Sequence, residues 1–397
     1  MHHFRWISIA CIIFLLTGCS TRVPIASMPN TSNKTALHIY NALPAYADAA
    51  SHSWRQLTAA RLPLKIGNRS IIIPDIRARL IVLKDLSSFY ASNSSVFDSA
   101  LVYGVTQFQW RHGLEATGVI NQKTLNALNV SPATRYRELV NSMNEWAELP
   151  ESIGDRYIHV NIPNFQLRLI ENGDEVMNMR VIAGRTTRQT PTLYSKVKTI
   201  VFNPSWTVPE TILEKDVIPG VQQNPNYLKE HYDMKVYANW KKDAAEIDPL
   251  TIDWKNATGK NFVYRVTAPP GDLNPLGRVK FIFENEHDVY MHDTPSKELF
   301  SNIERAYSSG CIRLEKPFEL VEYFYSDNND LTPNHVYDYL SSNETKYVQL
   351  KNPIPIRVTY ITAWVDAQGH VHFREDIYQK SSMSHESGAG VRAVDIA

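Results

Sequence analysis

Cysteine is scarce in this chain, and so is any excess of charge. Three cysteines stand among 397 residues, and 41 basic residues balance 41 acidic ones. That balance leaves no one-signed field to draw in nucleic acid. Long apolar runs are lacking too. The run over residues 7–16, just after Arg5, is well short of the ~20 residues a membrane helix needs, and no later stretch is long and apolar enough to span. HExxH is absent. His370 and His372 share one face of an alternating segment, but no further carboxylate–histidine cluster accompanies them. No metal and no other cofactor is therefore expected, and a zinc amidase is excluded.

What is present begins with the leader. The basic start, the short apolar run and Leu16-Thr17-Gly18-Cys19 read as a lipoprotein signal over residues 1–18, cleaved before Cys19. Cleavage discards Cys11 and leaves Cys19 to carry lipid. The alternative is a soluble secreted protein in which Gly18-Cys19 is accidental. Ser20 stands where an Asp would suggest inner-membrane retention, which resembles outer-membrane lipoproteins. The expected location is the cell envelope, facing the periplasm, with the membrane engaged through the lipid. Cys311 then has no disulfide partner in an exported protein. Such a thiol is either buried and inert or kept for chemistry.

The remaining chain divides by composition and period. Residues 19–34, rich in Ser, Thr, Asn and Pro, form a tether. Residues 35–72 carry Ala- and Leu-containing segments that predict one or two helices. Within 73–130, Ile76, Leu80 and Leu83 make one helical stripe and Leu101, Val105 and Phe108 a second. Gly113 and Gly118 punctuate a turn, and a third short helix covers 124–128. Leu139, Met143 and Trp146 predict a connector helix in 131–154, ended by Pro150. From Arg156 the period changes to two. Asn172-Gly173 is a hairpin signal between alternating strands. The domain 155–325 is interrupted at about 210–261 by a polar helical insertion, placed as a lid. Residues 326–380 form a C-terminal extension with a hairpin around Gln368-Gly369, and 381–397 read as a disordered tail. The fold class expected is α+β: a mainly antiparallel β domain with an inserted helical lid, preceded by a small three-helix module.

Two phrases carry chemistry. His292 ends the alternation Val289-Tyr290-Met291-His292, and eighteen residues separate it from Cys311 in Ser308-Ser309-Gly310-Cys311-Ile312-Arg313. The gap reads as a helix of about three turns opened by Thr294-Pro295, with Leu299, Ile303 and Ala306 on its apolar face. A free thiol with pKa ~8.5 is mostly protonated near neutrality. An adjacent imidazole can take its proton and form a thiolate–imidazolium pair. Gly310 permits unusual backbone angles, and the amides of Gly310 and Cys311 are candidates to face a developing oxyanion. Arg313 is either a bidentate holder of a substrate carboxylate or a structural ion pair. Tyr290 either lines the site or packs beside it.

At these residues the chain resembles the L,D-transpeptidase catalytic domain family, in its long branch with an N-terminal peptidoglycan-binding domain. His292-Asp293-Thr294-Pro295 and the Cys311 phrase carry the likeness, supported by Met179 to Gly184, Thr190-Pro191, Phe202 to Pro209 and Asn274-Pro275-Leu276-Gly277. The string from Val105 and Phe108-Gln109 through His112-Gly113-Leu114, Gly118-Val119-Ile120 and Leu128 resembles the three-helix peptidoglycan-binding domain. His112 in it reads as a packed or capping residue. The resemblance implies a cysteine acyltransferase with Cys311 as nucleophile and His292 as base. It carries oxyanion or substrate roles to Tyr290, Ser309, Gly310 and Arg313. The family often has His where Ser309 stands, which leaves that side chain's role open. The implied reaction is 3→3 crosslinking of peptidoglycan stem peptides, donor and acceptor both. The alternatives are an L,D-carboxypeptidase, a hydrolase of wall–protein linkages using the same thiol, and a non-catalytic wall-binding lipoprotein.

Overall fold

A computed structural model describes residues 25–31, 33–149, 153–327 and 331–380. The expected signal, Cys19, Pro150 and the 381–397 tail lie outside the described residues. No helix among those residues is long and apolar enough to cross a membrane.

All but one of the N-terminal helices start at a polar cap. Helix α1 (Lys34–Ala49) begins at Asn33, whose side chain accepts from the Thr35 and Ala36 amides. Helix α2 (Ile73–Val82) has Pro74 in its first turn. Asp98 caps α3 (Ser99–Arg111), Asn121 caps α4 (Gln122–Asn129) and Ser131 caps α5 (Pro132–Glu148). Helices α2, α3 and α4 share one core built from Ile73, Ile76, Leu80, Leu101, Phe108 and Leu125. Buried Gln109 holds the glycine turn. Its amide nitrogen donates to the Val119 carbonyl at 2.8 Å, and its oxygen accepts from the Gly118 N–H at 2.8 Å. Of the one or two helices expected over 35–72, α1 is found; 51–72 runs mostly without regular structure to a bridge between Leu64 and Ile120.

The β domain closes on itself. Its strands are β1 (Arg156–Asn161), β2 (Gln166–Glu171), β3 (Asp174–Gly184) and β4 (Leu193–Phe202), with β5 (Trp206–Thr207), β6 (Lys235–Tyr237), β7 (Glu246–Ile247) and β8 (Arg265–Ala268) in the insertion. Then come β9 (Val279–Phe283), β10 (Met291–His292), β11 (Ala306–Ser308), β12 (Ile312–Leu314), β13 (Lys346–Thr359), β14 (Ala363–Val365) and β15 (Val371–Phe373). The main sheet runs β11-β3-β12-β10-β9-β4-β13-β1-β2, and β2 pairs again with β3. Long β3 makes closure possible, because its first part pairs with β2 and its last residues with β12 and β11. Asn172 and Gly173 both take positive φ, +52° and +89°, in the turn joining β2 to β3, as a two-residue hairpin demands. Most pairings are antiparallel; β1–β13, β3–β11 and β10–β12 are parallel.

One expectation needs correction. The insertion is not only helical. It carries its own four-stranded sheet, β5-β8-β6-β7, and spans from Trp206 to Ala268, wider than 210–261. Residues 326–380, expected as an extension of the catalytic domain, contribute a strand to its main sheet. Strand β13 lies inside the sheet between β4 and β1, so the closed sheet is incomplete without it. The β14–β15 hairpin instead packs on α1 and α5 through Ala363 and Phe373. Arg111 of α3 ties the three-helix module to that hairpin. It pairs with buried Asp85 through two bonds of 2.7 and 2.6 Å and donates to the Val371 carbonyl at 2.5 Å.

Three histidines held neutral by their surroundings link this packing to pH. His112 caps α3, stacks on Phe108 and bonds the Phe108 carbonyl at 2.7 Å through Nδ1. Burial, then the Arg135 and Arg111 charges, hold its pKa well below 6.5. His159 meets the Thr359 hydroxyl at 2.8 Å, and burial followed by Arg168 and Arg357 brings its pKa to about 3. His292 is treated below. These groups stay neutral in the folded state while the unfolded chain takes up protons below about 6.5. Their contribution is full above that value and is lost as pH falls toward 3, by up to ~1.4 kcal/mol per unit per histidine. The urea midpoint should therefore fall between pH 7 and pH 5, and the fall should be shallower in His159→Gln. Parallel dependences in the two proteins would show that His159 is not held neutral.

Candidate active site

The site is one face of three short strands. Met291, Ile312 and Leu314 point into the core and are fully buried. Alternation along the strands turns Tyr290, His292, Cys311 and Arg313 to the other face. In the parallel β10–β12 pair His292 lies opposite Arg313. The Ile312 N–H donates to the Tyr290 carbonyl at 3.0 Å, which sets Cys311 beside Tyr290. In the antiparallel β9–β10 pair, Lys280 lies opposite His292. One row across three strands thus reads Lys280, His292, Arg313, with Tyr290 and Cys311 one step along. Neighbouring steps on one face are diagonal partners about 7–8 Å apart at the backbone.

The three-turn helix expected between His292 and Cys311 is not there. A single 3₁₀ turn, Lys297–Ser301, precedes β11. Arg305 draws the chain into β11 by donating to the carbonyls of Asn302, Val181 and Phe165. Ile303, meant for a buried stripe, is half exposed. A parallel pair still needs a crossover of a dozen or more residues, and the eighteen-residue gap supplies it.

The segment around Cys311 is held from both sides. The Ser308 hydroxyl donates to the Cys311 carbonyl at 2.5 Å and accepts from the Gly310 N–H at 3.2 Å. Gly310 sits at φ +115°, a conformation costly for any other residue. Fully buried Thr190 donates its hydroxyl to the Gly310 carbonyl at 2.8 Å and accepts from the Gly184 N–H at 2.8 Å. The Tyr378 hydroxyl donates to the Gly184 carbonyl at 2.6 Å and accepts from the Thr190 N–H at 3.2 Å. The Gly310 amide, a candidate for the oxyanion, is thus engaged by Ser308. The Cys311 N–H has no acceptor among the described residues. Ser309 accepts from Arg188 at 2.9 Å, and the same guanidinium pairs with Asp216 of the insertion.

Electrostatics keep the resting pair neutral. The His292 Nδ1 lies 2.5 Å from the Asp293 carbonyl. A carbonyl only accepts, so Nδ1 carries the proton and Nε2 is free to receive one. Burial is the main cause lowering the His292 pKa to about 3, followed by the Arg313 charge; the Asp293 bond opposes them, and Lys280 adds to the lowering. Burial likewise raises the Cys311 thiol, against the Tyr290 N–H, the Lys280 charge and the Tyr290 hydroxyl. The preformed thiolate–imidazolium pair expected from residue types is therefore disfavoured before substrate arrives. Tyr290 stays a neutral phenol: burial, then the neighbouring Cys311, push its pKa well up, and its hydroxyl also meets Trp206. Its ring stands edge-on to His292 at 5.6 Å.

The insertion stands over this face. Trp206, Val208, Leu213 and Val236 form its core, and Tyr290 packs against them. Asn274 clamps its two stalks, donating to the carbonyls of Pro204, Ala268 and Pro269 at 3.0, 3.3 and 2.8 Å. Gly277, at φ +60°, leaves room for the Asp293 carboxylate, which any Cβ there would strike. A π-helical turn, Leu213–Val217, carries Asp216 to Arg188. His370 and His372 instead share the Asp366 carboxylate at 3.0 and 2.9 Å, and no group of three metal-ligating side chains is found among the described residues.

Residue-by-residue reading missed Lys280, Arg188, Asp216 and Tyr378. Lys280 had a legible signal, as the one charge in the strand Val279-Lys280-Phe281-Ile282-Phe283 beside the His292 strand. Arg188 and Asp216 lie in a loop and an irregular helix, where no period marks them. Tyr378 is far along the chain.

Residues 155–334 match the family described as the L,D-transpeptidase catalytic domain, and residues 75–128 match the one described as "Putative peptidoglycan binding domain". A Haemophilus influenzae protein named "Putative L,D-transpeptidase" is 35% identical over 221 residues, which cover 56% of this chain and 44% of that relative. The chain thus spans less than half of that relative's length. An L,D-transpeptidase from Mycobacterium smegmatis is 12% identical, covers 52% of this chain and 58% of its own, and gives a TM-score of 0.24. One from Stackebrandtia nassauensis is 13% identical, covers 76% and 97%, and gives 0.27.

Thr190 supplies the test of how the thiol is placed. Thr190→Val removes the hydroxyl from two buried bonds, a cost of ~2–3 kcal/mol, and frees the Gly310 carbonyl. Reaction of the Cys311 thiol with an acylating reagent should drop at least about tenfold with the protein still folded, and Thr190→Ser should restore most of it. Unchanged acylation in a folded Thr190→Val protein would show that the Cys311 segment is positioned without it.

Proposed function

We propose that this chain is a peptidoglycan L,D-transpeptidase whose nucleophile is Cys311 and whose base is His292. The observation that carries the reading is the shared face of Cys311, Tyr290, His292 and Arg313, inside the stretch that matches an L,D-transpeptidase catalytic domain. His292 Nε2 takes the thiol proton as sulfur attacks the carbonyl of the third stem residue. The Cys311 N–H and the Tyr290 hydroxyl are the donors nearest the developing oxyanion. As the C–N bond breaks, the imidazolium returns the proton to the leaving amine, and the terminal D-amino acid departs. The thioester remains. A side-chain amine of a second stem then attacks it, giving its proton to His292. The C–S bond breaks, the proton returns to sulfur, and a 3→3 crosslink is formed.

Other parts fit the same task. The 75–128 module would hold the enzyme on its polymer, raising the local concentration of stems. The insertion would exclude water while the acceptor binds. Cys19 would be acylated and the chain tethered in the envelope, facing the periplasm from the outer membrane; that proposal rests on Leu16-Thr17-Gly18-Cys19 and Ser20.

Incubating the purified protein with tetrapeptide-rich wall tests the reading. Digested fragments should include new 3→3 dimers, absent with Cys311→Ala and reduced on the order of a hundredfold or more with His292→Ala. Tripeptide monomers without dimers would make the protein a carboxypeptidase with the same first step. No product with the native protein would overturn the assignment.

A further inference from the structure

The row Lys280–His292–Arg313 places two cations on either side of the base. Neither has an ion-pair or hydrogen-bond partner among the described residues. The Arg313 Nε is fully buried with no acceptor. The Lys280 ammonium sits over the Tyr290 ring, 3.6 Å from its centroid. Asp288 lies in the field of Lys280 and Glu298 in that of Arg313, but no ion pair joins them. Burial lowers the pKa of both cations, as it must for charges with no counter-ion. Charges drawn partly out of water are ordinarily paired, and two half-buried ones left without a counter-ion at one site mark a place prepared for an anion.

We propose that Lys280 and Arg313 together form the subsite for the C-terminal carboxylate of the donor peptide, so that the enzyme requires a free carboxylate on the leaving residue. The inference rests on the transpeptidase reading of Cys311 and His292. Its chemistry follows from the leaving group. His292 must reach the amine nitrogen that departs. The carboxylate carbon of an α-amino acid is two bonds from that nitrogen, about 2.5 Å away. Groups flanking His292 on both sides of its row are therefore the groups the carboxylate meets. Arg313 offers a planar fork and Lys280 a point charge, a combination that takes a carboxylate through charge-assisted bonds. Neutralising both cations also removes two of the influences that keep His292 from accepting a proton. Substrate binding and activation of the base are thereby coupled. Lys280 binds the departing residue's carboxylate and takes no part in bond making.

Synthetic tetrapeptide stems ending in a D-Ala carboxylate or in its carboxamide test this, with Cys311 acylation followed by intact mass. The native protein should favour the acid by about ten- to a hundredfold. Lys280→Met should lose most of that acid-over-amide preference, mainly through a raised KM for the acid, and an unchanged circular dichroism spectrum reports that the variant is folded. Lys280→Arg should restore the preference in part. Equal slowing of acid and amide by Lys280→Met would overturn the subsite, and so would a native protein that takes acid and amide alike; both results leave the transpeptidase reading standing. A native protein acylated by neither peptide would overturn that reading and this one with it.

Discussion

Two residue pairs of parallel ladder, Met291 with Ile312 and His292 with Arg313, hold the site together. Every other feature serves that register. The core residues Met291, Ile312 and Leu314 fix which way the strands face, since a slip of one residue would bury the polar side chains and expose the apolar ones. Strand β9 adds Lys280 opposite His292, and β3 closes the sheet behind β12. The buried hydroxyls of Thr190 and Tyr378 then lock the turn before the thiol. A thiol just before so short a strand needs this support, because two or three ladder bonds do not define a loop by themselves.

The same face carries an imbalance that the protein tolerates. Cations flank a buried imidazole, and the thiol is kept from ionising by the surrounding protein. Charges left unpaired indoors weaken folding. The closed sheet, the α1–α5–hairpin core and the Asp85–Arg111 pair supply stability elsewhere. The arrangement separates rest from reaction. A thiolate standing ready would be open to oxidation, whereas a thiol kept neutral beside a neutral imidazole is protected from it.

The sequence was legible where periods were long or where chemistry set the spacing. The three-helix module showed in its stripes and glycine offsets, and the β2–β3 turn in Asn172-Gly173. The His292 and Cys311 phrases stood out because a thiol and an imidazole at strand ends are rarely idle together. Failures came where the determinants are long-range. Leu299, Ile303 and Ala306 have helical spacing, yet Arg305 reaches three carbonyls and pulls that stretch into β11. Strands of two or three residues in the insertion are too short to show a period. The place of β13 inside the sheet depends on β1 and β4, far away in the chain. Lys280 was missed because its meaning lies in its cross-strand partner.

The central claim is that Cys311 and His292 are both neutral until substrate binds. Alkylation of Cys311 by iodoacetamide in the substrate-free protein, followed across pH, tests it most directly. The account predicts slow reaction near neutrality, rising with pH through a midpoint above that of a free thiol. A plateau of fast alkylation reaching down to mildly acidic pH would reveal a preformed thiolate–imidazolium pair and contradict it.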